Sequence, residues 1–456
     1  MKSLVMGNHS KIISECRKAY AEMGYEESAK RTEMIDVLCV VSCYDFGQKE
    51  QDIPPYEAIE AIMEKMKERK SGKCILVMNG LDDNIMLRDR AGIYREQAGL
   101  KKWWKAMAMV LAEYNIQVNI LNVGYFSYLD DENSKEKERL RKYAVIKRNY
   151  TYEDLYYGLK YMSSEKNSYL IGQELKLSGG SNIHPLKPVQ NNALSEVLPK
   201  DTIKGSTVLI IGASSGIGKS MAYLAAKEGA NVVLFARRLH VLNEIKQELL
   251  KYNVHVQVKS VDVTDAEELE RSITESYKSC NGIDSMVYTS GSFDGENMLK
   301  SFEKWNQIWK TNMEGFAKAV ATYVNCCKQN KKCGNIAGVA SIGGVRALLP
   351  NLEAYGMSKA AMIHFTKAVA LNYSKYGIRI NCIAPGWVDT PMASLLTEEY
   401  KQYWRDNLCL KRAGKPEDMS YTLRYLISDE SSYLTGETIC IDGGVTLGMM
   451  DDRSVN

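Results

Sequence analysis

Short strings of this chain recur at a fixed spacing, and that recurrence limits the fold more than any other feature. Lys105-Ala-Met-Ala returns as Lys367-Ala-Val-Ala, Tyr114-Asn-Ile-Gln-Val-Asn119 as Tyr376-Gly-Ile-Arg-Ile-Asn381, and Gly124 as Gly386, each 262 residues on. Ser168-Tyr-Leu-Ile-Gly172 and Gly179-Gly180 return as Ser432-Tyr-Leu-Thr-Gly436 and Gly443-Gly444, 264 residues on, and Ile35-Asp36 matches Ile283-Asp284. Repetition over such a distance reads as one domain-sized fold present twice. A length of 456 residues suits two such domains. The copies are unequal at their amino ends. Gly7 to Ile35 spans 28 residues and Gly212 to Ile283 spans 71, so the first copy lacks room for about one strand-helix-strand unit.

Both halves alternate short apolar runs with amphipathic stretches. In the first, Ser3–Met6, Val37–Val41, Cys74–Met78 and Ile116–Val123 read as strands, with helices up to about Glu22 and over Leu100–Tyr114. This is the rhythm of a parallel α/β sheet. The expected architecture is two Rossmann-like doubly wound parallel-sheet domains in tandem, the first truncated. Residues 1–180 form the first and 205–456 the second. Residues 181–204, with Pro185, Pro188 and Pro199 among polar residues, read as an exposed linker.

Composition excludes some classes of function. A net charge of +3 gives no sign of a nucleic-acid or membrane partner, and the amino-terminal apolar run is too short for a signal peptide. Eleven cysteines without a C-x-x-C pair suggest reduced thiols in the cytosol. Cys326, Cys327 and Cys333 have no histidine close by, which argues against zinc.

Chemistry gathers in the second half. Thr207–Ile211 is a buried strand that runs into Gly212-Ala-Ser214-Ser215-Gly216-Ile217-Gly218 and a helix. Glycines there allow a tight turn, and a helix N-terminus offers N–H groups to a pyrophosphate. A second strand, Asn231–Phe235, is followed by Arg237 and Arg238 where an NAD site places an acid. Two guanidinium groups suit a 2′-phosphate, hence NADP(H), unless they are solvated surface arginines. Asp262 is placed to accept from an adenine amino group with Val263 packing on the ring; capping a nearby turn is its rival use. Ser290 and Gly291 end a fourth strand beside the cofactor. Pro385, Gly386, Val388 and Thr390 leave the sixth, where backbone groups and Thr390 would hold a carboxamide. Residues 391–410 read as an amphipathic lid.

Ser341 lies at the end of the apolar run Asn335–Ala340, and Tyr355 and Lys359 sit four residues apart on a helix. Residues i and i+4 share a helix face. A cation beside a phenol favours the phenolate, so Lys359 is expected to lower the pKa of Tyr355. Tyr-x-x-x-Lys alone also occurs as a solvated pair, and Asn312 alone would read as an exposed polar position within a helix over Trp305–Val324.

Together, the Gly212–Gly218 turn, Asn312, Ser341, Tyr355-x-x-x-Lys359, Pro385-Gly386 and Asp442-Gly-Gly444 resemble the short-chain dehydrogenase/reductase family over about residues 205–445, most of all its 3-oxoacyl carrier-protein reductase branch. The resemblance implies that Tyr355 is the general acid/base and that Lys359 binds the ribose hydroxyls and lowers the tyrosine pKa. It also implies that Ser341 orients a carbonyl and Asn312 holds a water. One departure is Thr289-Ser290-Gly291, where the family usually has Asn-Ala-Gly. The first half is similar in degenerate form: Asn79, Ile93 and Gln97 stand at the places of Ser341, Tyr355 and Lys359. Family dimers pair through two long helices, so the resemblance implies that the two domains are packed as a pseudo-dimer, with Leu100–Tyr114 near Ala360–Tyr376, as in polyketide synthase ketoreductases by analogy.

The expected function is NADPH-dependent reduction of a 3-oxoacyl thioester on an acidic carrier protein met by Lys401, Arg405, Lys411, Arg412 and Lys415, a set that also reads as a solvated basic face. The alternatives are a free small ketone or alcohol, or a silent NADP-binding regulator. The expected location is the cytoplasm.

Overall fold

The computed structural model describes residues 1–7, 9–28, 34–43, 56–79, 91–123, 144–183, 202–293, 302–347 and 352–447. By its contacts the chain divides into two units. One is Met1–Val189 with Trp404–Arg412 and Asp442–Asn456; the other is Gln190–Tyr403 with Ala413–Ile441.

The apolar runs of the first unit become β1 (Lys2–Gly7), β3 (Val37–Ser42), β4 (Gly72–Met78) and β5 (Ile116–Asn122). Two short strands, β2 (Glu26–Glu27) and β6 (Glu174–Lys176), flank them in the order β2-β1-β3-β4-β5-β6. Every residue of β3, β4 and β5 is buried, as expected of a parallel sheet covered on both faces. Trp104 packs in that core and its indole N–H donates to the Asn119 carbonyl at 2.9 Å.

In the second unit the strands are β7 (Thr207–Ile211), β8 (Asn231–Ala236), β9 (Val256–Ser260), β10 (Ser285–Tyr288), β11 (Gly334–Val339), β12 (Ile378–Pro385) and β13 (Thr438–Ile441). Their order is β13-β12-β11-β10-β7-β8-β9, all parallel. The direction of winding reverses between β7 and β10, and in open α/β sheets ligands bind at that crevice.

The two sheets agree residue by residue at the spacings read in the sequence. Gly72 pairs with Ile116 as Gly334 pairs with Ile378; Ile120 pairs with Glu174 as Cys382 pairs with Thr438; Val37 pairs with Lys73 as Ser285 pairs with Asn335. Side chains agree as well. Asp36 accepts from the Lys2 backbone N–H at 2.7 Å, and Asp284 from that of Thr207 at 2.8 Å. Asn119 donates to the Leu170 carbonyl at 2.8 Å and accepts from the Gln173 N–H. Asn381 does the same with Leu434, at 3.1 Å, and Glu437. Gly172, Gly179 and Gly180 have positive φ, as do Gly436, Gly443 and Gly444. Among the described residues, the first sheet has two-residue β2 where the second has β8, and no strand at the place of β9. That is where the sequence is shorter.

Of the linker read at 181–204, Ser181–Ile183 form a short 3-10 turn, and 184–201 lie outside the described residues. The stretch 391–410 is not one amphipathic element. It is a 3-10 turn over Pro391–Leu395 and a helix over Glu398–Asn407, with Trp404, Leu408 and Cys409 buried.

Candidate active site

At the reversal point the backbone of the glycine turn is pressed against the end of β10. The Ser290 N–H donates to the Ile211 carbonyl at 3.1 Å. A Cβ added to Gly212, whose φ is +97°, would lie 2.6 Å from the Ser290 nitrogen. One added to Gly218 would lie 2.3 Å from the Gly212 carbonyl oxygen and 2.4 Å from Thr289 Oγ1, so no side chain fits at either place. Thr289, at the family's usual Asn, donates its hydroxyl to Ile211 O at 2.9 Å and ties the two strand ends together. Gly216 has φ +53°, and Thr390 lies over it: an added Cβ would sit 3.1 Å from Thr390 Cγ2.

The helix Gly216–Lys227 starts here, with Ser215 as an extended N-cap that makes no side-chain cap bond. The first unit treats the same place differently. His9 Nδ1 accepts from the Ile12 N–H at 3.4 Å and so caps the helix Ser10–Glu22. The bare glycine turn and the uncapped helix start fit a pyrophosphate.

Beyond β8, Arg237 and Arg238 are exposed, and Arg238 donates to Ser214 Oγ at 2.9 Å. Asp262 Oδ1 accepts from the Thr264 N–H at 2.9 Å and from its hydroxyl at 2.8 Å, which is the turn-capping use. Burial works to raise its pKa, but the Thr264 bonds and the charge of Arg237 outweigh it and hold the carboxyl low. Val263 lies beside Gly315, where an added Cβ would meet the Val263 carbonyl oxygen at 2.9 Å.

The reactive side chains converge one strand over. Gly291 is the meeting point: an added Cβ would lie 3.6 Å from Asn312 Oδ1, 3.6 Å from Lys359 Nζ and 3.7 Å from Met392 Cε. Asn312 is not an exposed helical position. The helix read over Trp305–Val324 is interrupted by a π-turn, Lys310–Glu314, and Asn312 within it is fully buried. π-turns inside helices are frequent at functional sites. Its amide accepts from the Ser292 N–H at 2.7 Å, and donates to Ser292 O at 3.0 Å and to Ser358 Oγ at 3.0 Å. Ser358 donates in turn to the Tyr355 carbonyl at 2.7 Å.

Ser341 follows β11 in an extended conformation, and its hydroxyl accepts from the Gly343 N–H at 3.1 Å. The helix Glu353–Tyr373 carries Tyr355 and Lys359. It packs so closely on the Ser341 turn that a Cβ on Gly344 would lie 2.6 Å from the Ala360 nitrogen. Lys359 is buried and donates to the Val339 carbonyl at 2.9 Å, with Met362 Sδ at 3.6 Å. Burial brings its pKa down to about 8, opposed by the nearby Cys382.

The expected depression of the tyrosine is not what this geometry gives. Burial raises Tyr355 above the ordinary phenol value, and the hydrogen bond with Ser341 only partly offsets it. The ammonium of Lys359 is directed at Val339, 5.7 Å from the centroid of the tyrosine ring, while Phe293 meets that ring edge-on at 5.3 Å and 89°. Sequence reasoning missed Phe293, Ser292 and Ser358. None carries a motif of its own, although Ser358 lies inside Tyr-x-x-x-Lys.

Pro385 ends β12, and the Gly386 N–H donates to Ile441 O at 3.1 Å. Val388 bridges to Gly414 and is buried; Thr390 caps the Pro391–Leu395 turn. Of the basic residues near the end of this segment, Lys401 pairs with Glu398 at 2.7 Å, and Lys411 lies 3.9 Å from Glu113. Arg412 donates to Ser168 and stacks over the Tyr169 ring at 4.8 Å. Asn79 and Gln97 precede Ser341 and Lys359 by the 262-residue spacing of the repeat, and neither is a serine or a lysine; the Ile93 side chain lies outside the described residues. Among the described residues no helix is long and apolar enough to cross a membrane, and no cluster of His, Cys, Asp or Glu could hold a metal.

A glycine turn at the reversal point and a Ser-Tyr-Lys set at the end of the next strands define an oxidoreductase on a doubly wound sheet. The family model described as Enoyl-(Acyl carrier protein) reductase matches residues 212–446. The 3-oxoacyl-[acyl-carrier-protein] reductase FabG of Thermotoga maritima is 31% identical over 246 residues, which are 54% of this chain and 99% of the relative. Sorbose reductase SOU1 of Candida albicans is 31% identical over 258 residues, 55% of this chain and 91% of the relative. A solved short-chain type dehydrogenase/reductase from Mycobacterium marinum has a TM-score of 0.52 at 32% identity, covering 54% of this chain and 97% of that one. The chain belongs to the short-chain dehydrogenase/reductase family and is an oxidoreductase through its second half.

Proposed function

We propose that this chain is an NADPH-dependent ketoreductase that converts a 3-oxoacyl thioester to the 3-hydroxyacyl product. The observation that carries the reading is the convergence of Asn312 and Lys359 on Gly291, with Ser341 and Tyr355 brought together at Gly343, where an added Cβ would lie 3.5 Å from Ser341 Oγ and 3.9 Å from the Tyr355 ring. When bound, the nicotinamide supplies the hydride. Ser341 and Tyr355 hold the carbonyl oxygen by hydrogen bonds that strengthen as charge develops on it. Tyr355 then gives that oxygen its proton, a transfer favoured by a phenol kept neutral by burial. Lys359 and Asn312 would hold the ribose hydroxyls and a water that return the proton. The Gly212–Gly218 turn and the start of its helix would take the pyrophosphate, and Arg237 and Arg238 a 2′-phosphate. Ser290, Asp262 and Val263 would line the adenosine and ribose, and Pro385, Gly386, Val388 and Thr390 the carboxamide.

The 3-oxoacyl substrate is favoured by the FabG relative. The sorbose reductase at the same identity supports a second reading, a small free polyol ketone. Steady-state rates with a 3-oxoacyl thioester and with free ketones decide between them. Tight NADPH binding with no turnover across both sets would indicate a regulator instead. For the cofactor, Arg237→Ala/Arg238→Ala is expected to raise the KM for NADPH about tenfold or more and leave that for NADH nearly unchanged. Equal effects on both would overturn the NADP assignment.

We also read the first unit as a degenerate copy of the second that has kept its packing and lost its site. The shared registers and shared Asn and Asp bonds support this, as do the capped helix at His9 and the missing Ser-Lys pair. Cytoplasmic placement rests on the cysteine usage alone.

A further inference from the structure

We propose that Phe293 is the wall of the reacting pocket: its ring keeps water from the Tyr355 phenol and selects the substituent that flanks the ketone carbon. This rests on the ketoreductase reading for the second role and on geometry alone for the first.

The ring is held from behind. Asn312 accepts from the Ser292 N–H and donates to the Ser292 carbonyl, as a neighbouring strand would. Both backbone groups of Ser292 are thereby taken by one amide, itself fully buried in the π-turn. Phe293 is the next residue, so its starting point is fixed from Asn312. The side chain then lies edge-on to Tyr355, with centroids 5.3 Å apart and planes at 89°, a favoured aromatic arrangement.

Tyr355 meets little apolar bulk from the turn below it. Gly343 has no side chain, and a Cβ there would lie 3.9 Å from the ring. Among the described residues, Ser341 acts to lower the phenol's pKa, and Lys359 of its own helix lies 5.7 Å from the ring centroid with its ammonium directed at Val339. Asn312, Gly343 and Phe293 bring no charge. Burial is the larger influence on Tyr355, and Phe293 supplies apolar surface to it.

The same placement sets selectivity. A carbonyl oxygen within reach of both Ser341 and Tyr355 leaves its carbon, and one of its two substituents, beside the Phe293 ring. Met392, 37% exposed, adds apolar surface beside Gly291, where an added Cβ would lie 3.7 Å from its Cε. The substituent this wall admits is therefore apolar and slim, such as an unbranched alkyl or acyl chain.

Phe293→Ala and Phe293→Leu test both roles. Phenolate absorbance is titrated in each, with the Tyr355→Phe version of the same protein subtracted so that residue 355 alone is read. In Phe293→Ala the phenol is expected to ionise about half a pH unit or more lower than in the parent, and in Phe293→Leu close to the parent. The ratio of kcat/KM for a branched or aryl ketone to that for a straight-chain ketone is expected to rise about tenfold in Phe293→Ala. An unchanged titration overturns the shielding role whether or not any ketone is reduced. A shifted titration with an unchanged ratio overturns the selecting role. If the parent protein reduces no ketone, the ketoreductase reading falls and the selecting role with it, while the titration still decides the shielding.

Discussion

The Asn312 amide donates to the Ser358 hydroxyl at 3.0 Å, and so links the π-turn to the helix that carries Tyr355 and Lys359. Ser358 passes the bond on to the Tyr355 carbonyl at 2.7 Å. Ser358→Ala removes the link without touching a reacting atom. Its expected effect is a loss of about 1–2 kcal/mol in stability, since a buried amide N–H loses a partner. The kcat falls about tenfold while the KM for NADPH changes less than about twofold. Thermal unfolding and steady-state kinetics on one preparation check this, and an unchanged kcat would contradict the positioning role.

The glycine turn has a steric requirement of its own. Gly218→Ala places a methyl 2.3 Å from the Gly212 carbonyl oxygen and 2.4 Å from Thr289 Oγ1. The turn must open, so NADPH affinity is expected to fall about a hundredfold, with about 1–3 kcal/mol lost in stability. Gly99→Ala is the control for introducing a methyl at a helical glycine, because a Cβ at Gly99, within the helix Ala91–Ala112, meets nothing within 4 Å. It should leave NADPH affinity unchanged in the same titration.

Lys73 gives a pH-dependent stability away from the active site. It is buried on β4, donates to Gln117 at 3.0 Å, and burial brings its pKa down to about 8. The unfolded chain keeps the ordinary lysine value near ~10.4. Between these values the unfolded chain holds a proton that the folded chain has lost, so stability rises with pH across that window. Below about pH 8 both states are charged and the cost of burying the charge is fully present. Lys73→Met is therefore expected to stabilise the protein by about 1–3 kcal/mol at about pH 7, an advantage that closes by about pH 10. Melting curves at the two pH values check it, and an advantage independent of pH would contradict the charge-burial account.

The proposed duplication predicts matched responses. Asn119 and Asn381 are both buried and each bonds, through donor and acceptor, the segment that leads into the neighbouring strand, β6 or β13. Asn119→Ala and Asn381→Ala should each cost about 1–3 kcal/mol, by leaving the Gln173 or Glu437 N–H without its side-chain acceptor; the Leu434 carbonyl keeps a bond from Arg379 at 3.1 Å. Hydrogen exchange should show the loss confined to the sheet that carries the substitution. A large cost at Asn381 with none at Asn119 would contradict equivalent structural roles.

Much of this was legible in the chain. The 262-residue repeat pointed to one fold present twice, and the pairing of β4 on β5 and of β11 on β12 shares that spacing. The shorter amino end agrees with the described residues, among which no strand stands at the place of β9. The glycine turn, Ser341 and the Tyr355–Lys359 pair were readable because each demands a particular residue type at a particular spacing. What escaped depends on packing. The π-turn at Asn312 leaves no mark in apolar periodicity. The direction of the Tyr355 shift turns on where the Lys359 ammonium points and on a ring, Phe293, more than sixty positions away in sequence. The short strands β2 and β6 are too brief for alternation to register.

The central claim is that one proton donor, in the second half of the chain, performs carbonyl reduction. Its most direct test is NADPH oxidation with a 3-oxoacyl thioester or another accepted ketone by the parent protein and by Tyr355→Phe, with NADPH binding measured on both. The account predicts a loss of turnover of about a thousandfold at unchanged NADPH affinity. Turnover by Tyr355→Phe equal to the parent would contradict it.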